Sequence, residues 1–244
     1  MRETNRPPKY CRWLLGFGAT ALLWSTSASA EKALVLKFEE QEPGNVPAVT
    51  RLLVTPSYLR VDDGKDSQDF LLFDRKEQTI YSVSSIDRSV LVIKPTKRPE
   101  SSAVKLEEKI IEGSDRPPAI GARPVHHYLL FTNGTLCYDV YAAEGLLPEA
   151  VSAWREYRET LAREQARTLA WTPSEIQTPC MLANNIYSPA RHLAHGLPVR
   201  FRDADGKLSQ LVDYQGDADV KPMLFRLPPE YPRVSIDTLR KGGS

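Results

Sequence analysis

The sequence lacks a strong excess of either charge. It holds 32 Lys and Arg residues against 31 Asp and Glu residues, so its formal net charge is +1. A dedicated nucleic-acid-binding protein usually has a large basic excess, and a disordered chain has few apolar residues. Because 41% of the residues are hydrophobic, we expect an ordinary globular protein that does not bind nucleic acid.

The sequence also lacks the short motifs of several common enzyme classes. It contains no Gly-x-Ser-x-Gly nucleophile elbow, no phosphate-binding glycine loop and no His-Glu-x-x-His zinc helix. We therefore predict no catalytic residue, no cofactor-binding residue and no cofactor. A hydrolase-like enzyme is the least favoured of the three function classes considered below.

The apolar stretch near the N terminus is too short to span a membrane. Trp13–Trp24 is twelve residues long, follows a basic segment and precedes Ala28-Ser29-Ala30. A membrane-spanning helix needs about 20 apolar residues, whereas this arrangement is typical of a secretory signal peptide. We predict a signal peptide at 1–30 that is cleaved after Ala30, and a single periplasmic domain at 31–244 without a transmembrane segment. An N-terminal membrane anchor is the alternative.

Cysteine is scarce, and this makes its pairing predictable. Of the three cysteines, Cys11 lies in the predicted signal peptide, which leaves Cys137 and Cys180. Two thiols in an oxidising compartment have one intramolecular pairing. The predicted Cys137–Cys180 disulfide closes a loop of about 44 residues, which corresponds to roughly 4 kcal/mol at most. A redox-active pair, the alternative, usually has closer spacing.

Short segments of β-favouring composition fill the first part of the predicted domain. Turns and prolines separate them, and no helical pattern intervenes, which favours a meander over parallel βαβ units. The predicted strands are Ala33–Phe38, Arg51–Thr55, Tyr58–Asp62, Asp69–Asp74, Thr79–Val83 and Ser89–Ile93.

More strands are predicted in the second half of the chain. Asn133-Gly134 indicates a hairpin, because both residues tolerate the positive φ of a tight turn. A strand or a short helix is predicted within 104–111. The remaining predicted strands are Tyr128–Thr132, Thr135–Ala142, Leu197–Phe201, Leu208–Val212 and Val220–Leu227.

One long amphipathic helix is predicted at 149–170, after the Leu147-Pro148-Glu149 start signal. Its apolar stripe contains Val151, Trp154, Tyr157 and Leu161, and its charged stripe contains Arg155, Glu159 and Arg163. We interpret the charged stripe as solvated surface.

A second helix is predicted to start at the capping box Thr172-Pro173-Ser174-Glu175 and to be interrupted or restarted at Pro179. The helical insert thus covers about 148–186. The resulting fold class is α+β and mainly antiparallel β, with a curved meander sheet covered by one long helix and a shorter helical segment.

The candidate metal ligands form no recognisable set. His126 and His127 would point to opposite faces of a strand, and His192 and His195 could share a helix face, but two ligands do not make a zinc site. The acidic residues Asp62, Asp63, Asp66 and Asp69 lack the ligand order of an EF-hand, so a solvated loop is favoured over calcium binding. We therefore predict no metal site.

The order of the strands resembles a known superfamily. Tyr58-Leu59-Arg60-Val61-Asp62, the segments Asp69–Arg75 and Thr79–Val83, and Phe225-Arg226-Leu227-Pro228-Pro229-Glu230-Tyr231 look like uncharacterised proteobacterial periplasmic proteins. Those proteins are similar in outline to the lipoprotein-carrier (LolA-like) superfamily. The resemblance covers 31–94 and 197–231, and the segment 148–186 departs from it. It implies a curved sheet covered by helices around an apolar lipid cavity, and it carries over no ligand residue.

These observations leave three function classes. The first is a carrier or binder of an apolar small molecule or lipid, which requires an apolar cavity and for which Phe70, Leu72, Tyr81 and Val83 are candidate lining residues. The second is an envelope protein-interaction module, which requires an exposed apolar patch. The third is the enzyme, which requires titratable residues that converge in a cleft.

Overall fold

The computed structural model describes residues 30–66, 68–97 and 105–238. The predicted signal peptide lies outside the described residues, except for Ala30. The strands are β1 (Glu31–Gln41), β2 (Ala48–Val54), β3 (Tyr58–Asp62), β4 (Phe70–Asp74), β5 (Thr79–Ser84), β6 (Ser89–Ile93), β7 (Glu108–Glu112), β8 (Val125–Thr132), β9 (Thr135–Ala143), β10 (Leu197–Asp203), β11 (Leu208–Val220) and β12 (Arg233–Ser235).

All twelve strands belong to one open, curved sheet with the order β12-β6-β5-β4-β3-β2-β1-β11-β10-β9-β8-β7. Two antiparallel meanders, β1 to β6 and β7 to β11, are joined where β1 pairs with β11. Among the strands within the described ranges, only β12 runs parallel to its neighbour, β6. The predicted mainly antiparallel fold class is therefore confirmed.

In the part of the chain that the structure describes, two helices and several short turns of helix follow β9. The long helix α1 covers Pro148–Thr168, and α2 covers Pro179–Leu182 and continues as a π-helical turn, Ala183–Tyr187. The 3₁₀ turns are Leu169–Trp171, Ser174–Ile176, Arg191–Leu193 and Pro222–Phe225. The predicted long helix and shorter helical segment are confirmed.

Helix α1 packs on one face of the sheet. Its predicted stripe of Val151, Trp154, Tyr157 and Leu161 packs against the main core. Ala150 and Ala153 are almost fully buried beside it, so the helix lies close to the strands. Alternate residues of β1 and β2 supply the opposing apolar surface.

The opposite face of β3 to β6 is covered by the segment Pro222–Tyr231, which we call the C-terminal strap. Leu224 and Phe225 of the strap are buried, and the Tyr58 and Phe225 rings stack with centroids 6.0 Å apart. The predicted strand at Val220–Leu227 is therefore wrong beyond its first residue. Pro222 has no backbone N–H for a sheet ladder, and the chain turns there into a 3₁₀ turn.

The start of the second helix also differs from the prediction. Thr172 does not cap a helix; its hydroxyl donates to the Thr168 carbonyl at the end of α1. The residue that caps α2 is Thr178, whose hydroxyl accepts from the Met181 N–H at 3.1 Å. Both threonines precede a proline, but only Thr178 is followed by continuous helical turns.

The hairpin at Asn133-Gly134 is confirmed. Asn133 has φ of +48° and Gly134 has φ of +79°, as a tight two-residue hairpin requires. The Asn133 side chain accepts from the Glu107 N–H and donates to the Lys105 carbonyl. The same turn thereby fixes the chain that enters β7.

Candidate functional site

An open cleft of about 370 Å³ lies between α1 and the sheet. We call it the aromatic cleft. Strands of both meanders, helix α1 and the helical segment after α2 all contribute to it. The cleft therefore lies where the two meanders meet, a region we call the seam. Its apolar lining residues are Leu52, Leu59, Val61, Tyr138, Trp154, Tyr157 and Phe201.

The aromatic rings of the cleft pack against other aromatic rings of the core. Trp154 contacts Phe38 edge to face, with centroids 5.5 Å apart, and Phe201 at 6.2 Å. Tyr157 contacts Phe73 edge to face at 6.0 Å. Contacts of this kind favour particular ring orientations. The cleft therefore has a preformed apolar wall.

Polar side chains also line the cleft. They are Glu40, Thr50, Arg158, Asn185, His192, Asp203 and Lys207. The Lys207 ammonium lies 2.8 Å from the Glu40 carboxylate. The Asp203 carboxylate accepts from the backbone N–H groups of Asp205 and Lys207. Burial, followed by the nearby Asp205 charge, raises the pKa of Asp203.

His192 is the most deeply buried titratable side chain of the cleft. Its ring contacts Tyr138, Phe201 and Trp154, with centroid distances of 5.0, 5.7 and 5.8 Å. Burial, and then the positive charges of Arg158, Arg191 and Arg155, lower its pKa well below 6.5. The imidazole is therefore neutral at pH 7. No described residue forms a hydrogen bond to its buried Nδ1 atom.

Hydrogen bonds from arginines attach the helical segment Pro179–Leu193 to α1 and also join residues within the segment. Arg158 donates to the carbonyl oxygens of Asn184 and Pro189, and Arg155 donates to the carbonyl oxygen of Leu193. Arg191 donates twice to the Asn184 Oδ1 atom. The prediction that Arg155 belongs to a solvated stripe is therefore wrong, because its guanidinium reaches a backbone carbonyl 38 residues away along the chain.

The predicted disulfide is confirmed and lies beside the cleft. Cys137 and Cys180 are bonded, with their Cα atoms 5.1 Å apart. Cys137 precedes the cleft residue Tyr138 on β9, and Cys180 lies in α2. The Asn184 side chain also donates to the Cys137 carbonyl. The bridge therefore joins the helical wall of the cleft to the sheet.

The four acidic residues considered for calcium have other contacts. Asp62 is buried and accepts from both Arg51 and Arg60. Burial alone would raise the pKa of Asp62, but these hydrogen bonds hold it below its usual value. Asp66 lies 2.8 Å from Arg51, and Asp69 accepts from Ser85. Asp63 accepts from the backbone N–H of Lys65. Asp62 and Asp66 thus neutralise arginines of the sheet.

The four histidines pack mainly against tyrosine rings and are not gathered into one metal-binding cluster. His127 stacks on Tyr141, whereas His126 is tilted against Tyr128, as expected for adjacent residues of a strand. His195 stacks on Tyr128 with the centroids 4.0 Å apart, away from buried His192. Within the described part of the chain, no three His, Cys, Asp or Glu side chains are placed to bind one metal ion.

The apolar residues considered as a lipid-binding surface lie on the other face. Phe70, Leu72 and Val83 are buried under the C-terminal strap, and Tyr81 is packed beside them. They form core on the side of the sheet opposite α1. The aromatic cleft was missed because its residues come from distant parts of the sequence; only the Trp154 and Tyr157 stripe gave a signal.

Comparisons with known proteins do not define a family. No family model matches the chain, and no curated protein matches it. Two solved structures, titled "Structure of PNGF-II in C2 space group" and "Structure of PNGF-II in P21 space group", are similar at TM-scores of 0.43 and 0.42, with 9% and 7% identity. They match 87% and 86% of this chain, which spans about a third of their length (32% and 33%).

A search of the described helices found none that is both long and apolar enough to cross a membrane.

Proposed function

We propose that this protein binds an amphipathic small molecule in the aromatic cleft. The observation that carries the proposal is the mixed lining of the cleft, with a fixed aromatic wall and several polar side chains around one opening. Binding sites of this kind are largely preformed, and a few polar groups in them orient the ligand. The volume of about 370 Å³ lies within the usual range for such sites.

Because α1 packs onto one face of the sheet, we favour an amphipathic ligand over a purely apolar one. Helix α1 occupies the face on which a lipid carrier would hold its cargo, and Trp154 and Tyr157 pack directly onto Phe38 and Phe73. The space left at the seam is lined by charged and polar side chains as well as rings. A ligand with an apolar body and a polar head matches both parts of that lining.

The proposed location is the periplasm. The basic, short apolar N-terminal segment with Ala28-Ser29-Ala30 supports export. The Cys137–Cys180 bridge supports it as well, since disulfides persist in oxidising compartments.

A fluorescent amphiphile, anilinonaphthalene sulfonate, tests the proposal directly. Its rings would contact the aromatic wall and its sulfonate would reach the polar opening. Thr50→Trp places a large side chain at the cleft, because Thr50 lines it on β2. Val49→Trp is the matched control, because Val49 immediately precedes Thr50 on β2 and is exposed.

We expect saturable binding of the dye to the folded protein and to Val49→Trp. We expect Thr50→Trp to bind at least about tenfold more weakly, which corresponds to about 1.4 kcal/mol. Equal affinities of Thr50→Trp and the unmodified protein would show that the dye binds elsewhere, and absence of saturable binding would refute the proposal.

A further inference from the structure

Strand β7 forms one edge of the sheet. Among the described residues it pairs only with β8, and all five of its residues are exposed. Ile110 and Ile111 are 47% and 38% exposed. An exposed edge with apolar residues is a ready template for another strand.

The hydrogen-bond register shows which backbone groups face outward. The Asn133 N–H donates to the Glu107 carbonyl, and the Gly113 N–H donates to the His127 carbonyl, both at 2.9 Å. The pairing between these two contacts has no irregularity. Because antiparallel pairs alternate, the odd-numbered residues of β7 bond to β8. The N–H and C=O groups of Glu108, Ile110 and Glu112 therefore point away from the sheet.

We propose that this edge binds an extended segment of another protein that carries basic residues two positions before and after a central apolar residue. In an antiparallel pairing centred on Ile110, those basic residues lie opposite Glu108 and Glu112. Opposite charges that face each other across a strand pair stabilise it. The apolar residue lies opposite Ile110. Main-chain bonds supply affinity in this mode, and alternate side chains supply specificity.

A second copy of this chain fits the edge less well. In the antiparallel self-pairing that overlaps all five residues, Glu108 of each copy lies opposite Glu112 of the other. Like charges at directly opposite positions destabilise a strand pair. The edge therefore disfavours its own copy and favours a basic strand.

The two glutamates differ in how accessible their carboxylates are. The Glu112 carboxylate is 56% exposed and lies 3.4 Å from the His126 ring. The Glu108 carboxylate accepts from the Ser188 hydroxyl and lies 3.7 Å from Arg191. Glu112 is therefore the stronger determinant, and its replacement is the more informative charge test.

The test uses two labelled peptides and three variants, two at Ile110 and one at Glu112. The basic probe has the sequence Thr-Lys-Thr-Val-Thr-Lys-Thr with blocked ends, and the control peptide has Glu in place of each Lys. Ile110→Pro removes an outward N–H without removing a bond to β8, since proline is tolerated at an exposed edge. Ile110→Thr is the matched control, because it shortens the side chain but retains the N–H.

We expect fluorescence anisotropy to show binding of the basic peptide and at least about tenfold weaker binding of the acidic one. Ile110→Pro should weaken binding of the basic peptide about tenfold, as expected for a lost hydrogen bond and a distorted edge. Ile110→Thr should weaken it less. Glu112→Lys should reduce the preference for the basic peptide, and it provides a readout that is independent of the proline variant.

Three results would overturn the proposal. The first is that neither peptide binds, and the second is that both bind equally well to the unmodified protein. The third is a concentration-dependent dimer in sedimentation velocity that Ile110→Pro abolishes, because this would assign the edge to a second copy of the chain.

Discussion

The two halves of the sheet are covered in different ways. Strands β3 to β6 are buried on both faces, by α1 on one side and by the C-terminal strap on the other, mostly through apolar contacts. Strands β8 to β10 are covered on one face by the helical segment Pro179–Leu193. The disulfide joins this segment to β9, and arginine hydrogen bonds join it to the Phe131 carbonyl of β8 and to α1. The first half thus depends on apolar packing around one buried charge network, Arg60 with Asp62, and the second depends on specific cross-links.

This difference explains why the aromatic cleft is at the seam. Leu52 and Leu59 come from the closely packed half, and Tyr138 and Phe201 come from the cross-linked half. The helical wall of the cleft is held by the disulfide and by hydrogen bonds rather than by continuous apolar packing. An open space can therefore remain beside it. The comparison can be tested by breaking one characteristic contact in each half and then one in the cleft.

The largest effect is expected for the buried charge network of the first half. The Arg60 guanidinium donates to Asp62 at 2.6 Å and to the Leu224 carbonyl of the strap at 2.7 Å. Asp62→Ala removes the carboxylate from a buried guanidinium and should cost about 3–5 kcal/mol in the free energy of unfolding, measured by urea denaturation.

The double variant Arg60→Met/Asp62→Leu is the control for that measurement. It leaves no buried charge at Arg60, so it should lose less stability than Asp62→Ala alone. If the double variant were the less stable of the two, the network would contribute through its attraction rather than through the cost of an isolated charge.

A somewhat smaller effect is expected for the disulfide of the second half. Replacing Cys137 and Cys180 by alanine should cost about 2–4 kcal/mol, because the unfolded chain regains the freedom of a long loop. The variant should also lose affinity for the dye, since α2 is no longer bonded to β9. Unchanged dye affinity in the folded variant would show that the arginine contacts suffice to hold the cleft wall.

The smallest effect concerns the pH dependence from His192. Its pKa is near 6.5 in the unfolded chain and well below that in the folded protein. Below pH 6.5 the unfolded chain therefore binds a proton that the folded protein does not, and stability falls as pH falls by up to about 1.4 kcal/mol per pH unit. Above pH 7 this contribution is absent.

His192→Phe should remove that part of the slope below pH 6.5. The difference between the two proteins in the free energy of unfolding, measured as a function of pH, gives the contribution of His192 separately from that of the other histidines. An identical slope in both proteins would mean that His192 is protonated in the folded state.

Much of the sheet was predictable from local patterns. The predicted bounds of β3 and β6 agree with the structure at Tyr58–Asp62 and Ser89–Ile93, because turns or a proline fix both ends. The Asn133-Gly134 hairpin was predictable for the same reason, since the turn needs positive φ at both residues. These sequence signals were sufficient because turns and prolines determine the ends of strands only a few residues away.

The C-terminal strap was not predictable in the same way. Val220–Leu227 has the composition of a strand, yet it continues as a strand only to Val220 and then covers the sheet instead of extending it. Pro222 ends the strand locally, but the position of the strap on the sheet also involves the buried Arg60, which donates to the Leu224 carbonyl 164 residues away along the chain. The cleft depends on similar distant contacts, so its residues could not be selected from the sequence.

Native mass spectrometry of the purified folded protein, followed by organic extraction, tests the central claim most directly. We predict that a small amphipathic molecule remains bound to the folded protein and to Val49→Trp and that it is absent from Thr50→Trp. A folded protein that carries no small molecule and binds none of the amphiphiles offered to it would contradict the claim.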